Sequence, residues 1–127
     1  MPSMSDNHRQ TIRERLLEIK ESIELIQEWS TGMEELHDFM VSPNRVMAFN
    51  ACVMRLQVIG EHVGKLLKEE SAPLSTHPEI SWLAIYDMRN IISHEYGNID
   101  EVIVISVIKE DLPKLKTAID SLLQQFK

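Results

Sequence analysis

A single cysteine, Cys52, among 127 residues leaves no partner for an internal disulfide and too few thiolates for a metal cage within one chain. Its neighbours Ala51, Val53 and Met54 are apolar, so Cys52 is expected to be an inert packing residue. Histidine supplies no metal pair either. His8, His37, His62, His77 and His94 include no two at the three- or four-residue spacing of a helical ligand pair, and neither a metal nor another cofactor is expected. Long apolar runs are missing as well: the longest are a few residues, against the ~20 that a membrane-spanning helix requires. The start, Met1-Pro2-Ser3-Met4-Ser5-Asp6-Asn7, has neither the basic residues nor the apolar stretch of a secretory signal. These absences lead us to expect a soluble, cytoplasmic protein that is not associated with a membrane. There are no repeats, low-complexity tracts or linkers, and the length suits one domain over residues 1–127.

Positive charge is in deficit too, with 13 Lys and Arg against 20 Asp and Glu and a formal net charge of −7. Neutralising phosphates supplies much of the affinity of nucleic-acid binders, which therefore usually carry the opposite sign. Any RNA site on this chain would have to be a local basic cleft working against the long-range field. A basic protein partner suits the acidity more easily.

What remains is a helix-forming pattern. Ile12, Leu16, Ile19, Ile23 and Ile26 recur at spacings of four and three, which predicts an amphipathic helix from about Asp6 to Trp29. Ser30-Thr31-Gly32 breaks it, a short helix can follow, and Ser42-Pro43 reads as an N-cap with proline in the first helical turn. The next helix has two apolar stripes, one along Val46, Phe49, Val53, Leu56, Gly60, Val63 and Leu67, the other along Met47, Ala51, Met54 and Val58. It is expected to be buried on a wide face, as the central helix or a dimer helix. Glycine in a helix interior costs about 1 kcal/mol relative to alanine, so Gly60 and Gly64, biased toward one side, suggest that another backbone passes close by.

Ser71 to Pro78 reads as a loop. A further helix is expected from about Glu79 to Tyr96, with Gly97-Asn98 as its stop and Asp100 as the next N-cap. The β-branched run from Val102 to Ile108 would suit a strand, but no partner strand exists, so we expect a buried helix ending at Leu112-Pro113. A last helix carries Leu115, Ile119, Leu122 and Phe126. The expected fold is all-α, an antiparallel bundle of four to five helices.

Against this background one octapeptide stands out, Arg89-Asn90-Ile91-Ile92-Ser93-His94-Glu95-Tyr96. The inward seam Trp82, Ile85, Arg89, Ile92, Tyr96 places a guanidinium and a phenol where apolar side chains belong. An inward charge needs a partner, and Arg89 can be a structural ion pair with a carboxylate such as Glu61. A lone histidine near a helix end is commonly a cap, but beside a permanently charged planar fork for phosphate it can move protons. Together Arg89 and His94 outline RNA transesterification.

Helical geometry complicates that reading. Five residues along an ideal helix put His94 about 140° around the axis from Arg89. Arg89 and Tyr96 share one face, Asn90 and His94 another. Either the helix loosens before His94 or a second subunit completes the cleft, and we favour a composite site at a two-fold interface.

The Arg89, His94 and Tyr96 spacing resembles that of the HepT-type HEPN ribonuclease toxins, compact helical proteins marked by Arg, four residues, His, one residue, Tyr. Met88-Arg89-Asn90, Ile59-Gly60-Glu61, Ile80-Ser81-Trp82, Asn98-Ile99-Asp100 and Asp111-Leu112-Pro113 extend the resemblance over roughly Arg9 to Phe126. Departures are His62, where the family commonly has alanine, and Glu95, often glycine there. The resemblance implies an HEPN-like bundle and a metal-independent endoribonuclease with Arg89 and His94 catalytic and Asn90 and Glu61 supporting. It also implies RNA as substrate and a toxin and antitoxin pair in which a minimal nucleotidyltransferase transfers AMP onto Tyr96. The alternative is a non-catalytic helical module that binds a nucleotide or a partner.

Overall fold

The computed structural model describes residues 5–127, apart from the side chains of Glu95 and Tyr96. The helices are α1 (Asp6–Trp29), α2 (Leu36–Met40), α3 (Pro43–Glu69), α4 (Trp82–Glu95), α5 (Glu101–Ser106) and α6 (Leu112–Gln125). Among the described residues there is no strand. The molecule is the all-α bundle that the apolar periodicity predicts, and its helices fit the HEPN-like architecture that the resemblance implies.

Local chemistry accounts for most boundaries. The Ser5 hydroxyl accepts from the His8 N–H, Ser42 from that of Arg45, and the Asp100 carboxylate from those of Val102 and Ile103, so three helices start on a side-chain cap. Helix α1 ends before Gly32, whose φ of 78° lies in the left-handed region. Helix α4 begins at Trp82 rather than near Glu79, because the backbone ahead of it is spent on tight turns, with the Ile80 N–H on the His77 carbonyl at 3.2 Å and the Trp82 N–H on the Ile80 carbonyl at 3.0 Å. The Trp82 indole N–H is shared between the carbonyls of Leu74 and His77, at 3.0 and 3.1 Å, tying the start of α4 to the loop before it.

Pairings across the bundle make its neighbours antiparallel. From α1 to α3, Arg15 meets Glu69 and the Ile26 carbonyl meets Cys52; from α1 to α6, Lys20 meets Asp120 and Glu24 meets Lys116. Ile12, Leu16, Ile19, Ile23 and Ile26 are at most 2% exposed and form one side of the core. Phe39 of α2 packs edge-on against Phe49 of α3, with ring centroids 5.6 Å apart.

Three expectations are corrected. Leu112-Pro113 does not end a helix: α5 continues into α6 through a π-helical turn at Val107–Asp111, where the Leu112 N–H reaches back to the Val107 carbonyl. Proline has no N–H to give, and its ring crowds the carbonyl four residues earlier, so widening the turn ahead of Pro113 relieves both problems without stopping the helix. The segment before it is helical but only half buried, with Val104, Ile105 and Ile108 inside and Val102 and Ile103 more than half exposed. The second α3 stripe is also open within one chain. Met47 and Met54 are 68% and 54% exposed, because α1 and α4 cover other sides of α3 and, among the described residues, no element covers these two.

Candidate functional site

The seam between α3 and α4 is built from paired turns. Residue numbers rise along one helix as they fall along the other, bringing Gly64 to Tyr86, Gly60 to Arg89, and Gln57 to Ser93. Gly60 is buried and the α4 backbone does pass close by, as expected, whereas at Gly64 the close neighbour is the Tyr86 ring rather than a backbone.

Arg89 sits half-buried in the middle of this seam. Its Nη1 donates to the Asn90 side-chain oxygen at 3.1 Å, and its Nη2 lies 3.6 Å from Glu61 Oε1. The side chains of Arg89 and Glu61 are 32% and 40% exposed, so the pair is wet on one side and an incoming phosphate can reach the guanidinium without unfolding anything. One turn further along both helices, Gln57 Nε2 donates to Ser93 Oγ at 3.0 Å on the open surface. Sequence reasoning missed this neutral pair. The available signal was that Gln57 and Glu61 stand four apart, as do Arg89 and Ser93, so that facing antiparallel helices must pair both steps.

His94 lies in the last turn of α4 and is exposed. The α-helix runs unbroken to Glu95 and tightens to a 3-10 turn only at Tyr96–Asn98. Loosening ahead of His94 is therefore not how the two groups are reconciled: Arg89 stays on the seam, one turn from buried Ile92, and His94 points elsewhere around the axis. Asn90 turns its carboxamide oxygen to Arg89, although it was expected to act from the His94 face. The expectation for Tyr96 falls on a side chain outside the described residues, as does the departure at Glu95.

The α3 face beside the seam is mixed: Met47, Asn50, Met54, Gln57 and Glu61 recur on it at spacings of three and four, with the two methionines more than half exposed, and Ile91 of α4 and Val102 and Ile103 of α5 are also more than half exposed. A cleft of about 280 Å³ lies elsewhere, behind the α3 and α4 crossing, lined by Leu56, Ile59, Ile85, Met88, Val107 and Lys114 among others. Neither Arg89 nor His94 borders it, so it is not where the octapeptide's chemistry would occur.

Two titratable groups of α3 have shifted pKa values. Burial pushes the Cys52 thiol up to about 11, which makes it a packing residue as expected. Burial also lowers the His62 pKa, against the pull of Glu18 and Glu61, and its Nδ1 is buried with no hydrogen-bond partner. Among the described residues no group of three acidic, His or Cys side chains is arranged to hold a metal. No helix of the described chain is long and apolar enough to cross a membrane.

The sequence profile of the Ribonuclease HepT-like family matches residues 19–122. A protein named "Probable ribonuclease HepT" from Thermococcus cleftensis is 31% identical over 110 residues, covering 87% of this chain and 94% of its own length. A "Putative RNase" from Caldanaerobacter subterraneus is 31% identical over 117 residues, covering 92% of this chain and 98% of its own. A "Gamma-glutamylcyclotransferase and putative RNase" from Methanocaldococcus jannaschii is 31% identical over 118 residues, or 93% of this chain, which spans only 50% of that relative's length. No solved structure matches the chain.

Proposed function

The chain belongs to the Ribonuclease HepT-like family, and on that footing we propose that it is a metal-independent endoribonuclease toxin acting in the cytoplasm. The observation that carries the reading is the placement of Arg89: a permanent cation, half-exposed in a helical seam, beside the Asn90 amide and five residues before an exposed His94. A plain structural ion pair needs neither of those neighbours.

In this mechanism His94 acts as general base or acid on the ribose 2′-hydroxyl and the leaving oxygen. The 2′-oxygen attacks the adjacent phosphorus, the bond to the 5′-oxygen breaks, and a proton passes to that oxygen. The products are a 2′,3′-cyclic phosphate and a 5′-hydroxyl. Arg89 stabilises the charge that builds on the phosphorane oxygens. Asn90 and Glu61 support it by holding the guanidinium fork.

Because His94 lies about 140° from Arg89 around α4, the complete site is assembled in a homodimer, with Arg89 of one copy facing His94 of the other. The exposed apolar stripe of Met47 and Met54 beside the seam is the surface a second copy would cover, a self-complementary patch of the kind two-fold dimers use. The net charge of −7 favours a basic partner face, as a minimal nucleotidyltransferase antitoxin would present. Its transfer of AMP onto Tyr96 would place an anionic group near Arg89 and His94, in competition with the RNA backbone.

Cleavage of single-stranded RNA by purified wild type, His94→Ala and Arg89→Ala tests this directly. Cleavage by the wild type and its fall to a small residual rate in both variants is expected. A folded wild type that leaves RNA intact would sink the proposal. For Tyr96, incubation with the cognate transferase and ATP should raise the intact mass by AMP units in the wild type and not in Tyr96→Phe.

The 3.6 Å approach of Glu61 to Arg89 favours one rival, a non-catalytic module that keeps the arginine as a structural ion pair and binds a nucleotide or a partner protein. The same assay decides between them, because that module would cleave nothing.

A further inference from the structure

Helix α3 carries two glycines one turn apart, and they meet α4 differently. A Cβ at Gly60 would stand 2.3 Å from Arg89 Cβ, 3.2 Å from Arg89 Cγ and 3.1 Å from the Ile85 carbonyl oxygen. A Cβ at Gly64 would stand 2.5 and 2.6 Å from Cδ1 and Cε1 of the Tyr86 ring. What differs is the freedom to move. A Cβ and a carbonyl oxygen are fixed to the α4 backbone, so no rotamer change makes room at Gly60 and the helices must part. The Tyr86 ring is the far end of a side chain and can swing aside.

Carbon atoms in contact sit about 3.5–4.0 Å apart, so a methyl group at position 60 would drive Arg89 Cβ outward by more than about 1 Å. That is comparable to the whole geometric tolerance of a catalytic group, since a misplacement of about 1 Å can cost about a hundredfold in rate. The same movement would separate the guanidinium from the Glu61 carboxylate, now 3.6 Å away on the residue next to Gly60.

We propose that Gly60 is the positioning residue for Arg89: the bare α3 backbone at this turn sets the depth at which the guanidinium is delivered to the RNA phosphate. The proposal rests on the ribonuclease reading for its consequence but not for its geometry. Gly64, on the same helix and facing the same neighbour, is the internal control.

The test is single-turnover cleavage at saturating RNA by the full-length wild type, Gly60→Ala, Gly64→Ala, Arg89→Ala and the Gly60→Ala/Arg89→Ala pair. Gly60→Ala should lose at least about tenfold and Gly64→Ala less than about threefold. In the Arg89→Ala background, adding Gly60→Ala should change the residual rate by less than about twofold, because no guanidinium remains to misplace. A merely structural glycine would instead lower the rate by the same factor in both backgrounds. Equal factors, or equal losses from the two glycines, overturn the proposal. Should Gly60→Ala fail to fold, Arg89→Gly is added to it to remove the opposing Cβ: recovered folding upholds the contact, and persistent unfolding overturns it. A wild type that cleaves no RNA defeats the ribonuclease reading alone. The positioning is then decided by the Arg89 Nε–Hε resonance in 15N-labelled protein, identified by its loss in Arg89→Ala. A shift in Gly60→Ala with none in Gly64→Ala upholds it, and an unshifted resonance in Gly60→Ala rejects it.

Discussion

Arg89 Nη2 lies 3.6 Å from Glu61 Oε1 across the α3 and α4 seam, and the same guanidinium donates to Asn90 from its other terminal nitrogen. One carboxylate thus does two opposed things. It orients the fork, and its charge competes with any phosphate for it.

Glu61→Gln separates these effects, because glutamine keeps an acceptor for Nη2 and removes the charge. The pair is half-exposed, and such pairs are worth about 0–1 kcal/mol, so RNA affinity should rise by up to about fivefold and folding stability should change by less than about 1 kcal/mol. Affinity is best measured in a His94→Ala background to prevent cleavage. Weaker binding by the glutamine variant would show that orientation outweighs competition.

Much of this architecture is legible in local sequence, and the exceptions have physical causes. The bounds of α1 follow from five isoleucine and leucine positions, and the starts of α3 and α5 from Ser42-Pro43 and Asp100, because a cap acts within a few residues of itself. The π turn before Pro113 is not legible in this way: proline signals a disturbed ladder but not whether the helix stops or widens. The exposure of Met47 and Met54 is likewise a matter of which neighbours exist, and periodicity marks an apolar face without saying whether this chain or another covers it. At the candidate site, helical arithmetic separates Arg89 from His94 in advance, whereas the pairing of Gln57 with Ser93, 36 residues apart in sequence, depends on the antiparallel register of two helices.

Cys52 should be chemically silent while the protein is folded. Its thiol is raised from 9.0 to about 11 by burial, so at pH 8 the thiolate fraction falls about a hundredfold from that shift alone. Alkylation by iodoacetamide should accordingly be at least about a hundred times slower in the native protein than in denaturant. Comparable rates would mean that the α1 and α3 interface opens readily around Cys52.

His62 should make stability fall in acid. Burial lowers its folded pKa below 6.5 and Arg15 and Lys65 push the same way, against Glu18 and Glu61. The folded state therefore binds the proton less readily than the unfolded chain. Stability from the neutral ring is present above about pH 6.5 and is lost as pH falls through the lower folded value. Between pH 7.5 and pH 5 the thermal midpoint of the wild type should drop more than that of His62→Ala, which has no ring to charge. Parallel profiles would assign the acid sensitivity to other groups.

The angular separation of Arg89 and His94 makes complementation the sharpest test of a shared site. A dimer of Arg89→Ala with His94→Ala keeps one native arginine and one native histidine, on different chains. If each site draws Arg89 from one copy and His94 from the other, that hybrid has one intact site. Random exchange makes half the dimers hybrid, each with one of its two sites intact, so mixing the two inactive variants should restore about a quarter of wild-type cleavage. If both groups act within one chain, every site in the mixture lacks one of them and no activity returns. Met54→Asp supplies the companion measurement: a buried carboxylate on the apolar stripe should shift the protein toward monomer by light scattering and abolish the restored cleavage with it. A mixture that stays inactive while hybrids demonstrably form would end the composite-site reading, because Arg89 and His94 of α4 would then have to meet by rearrangement within a single copy.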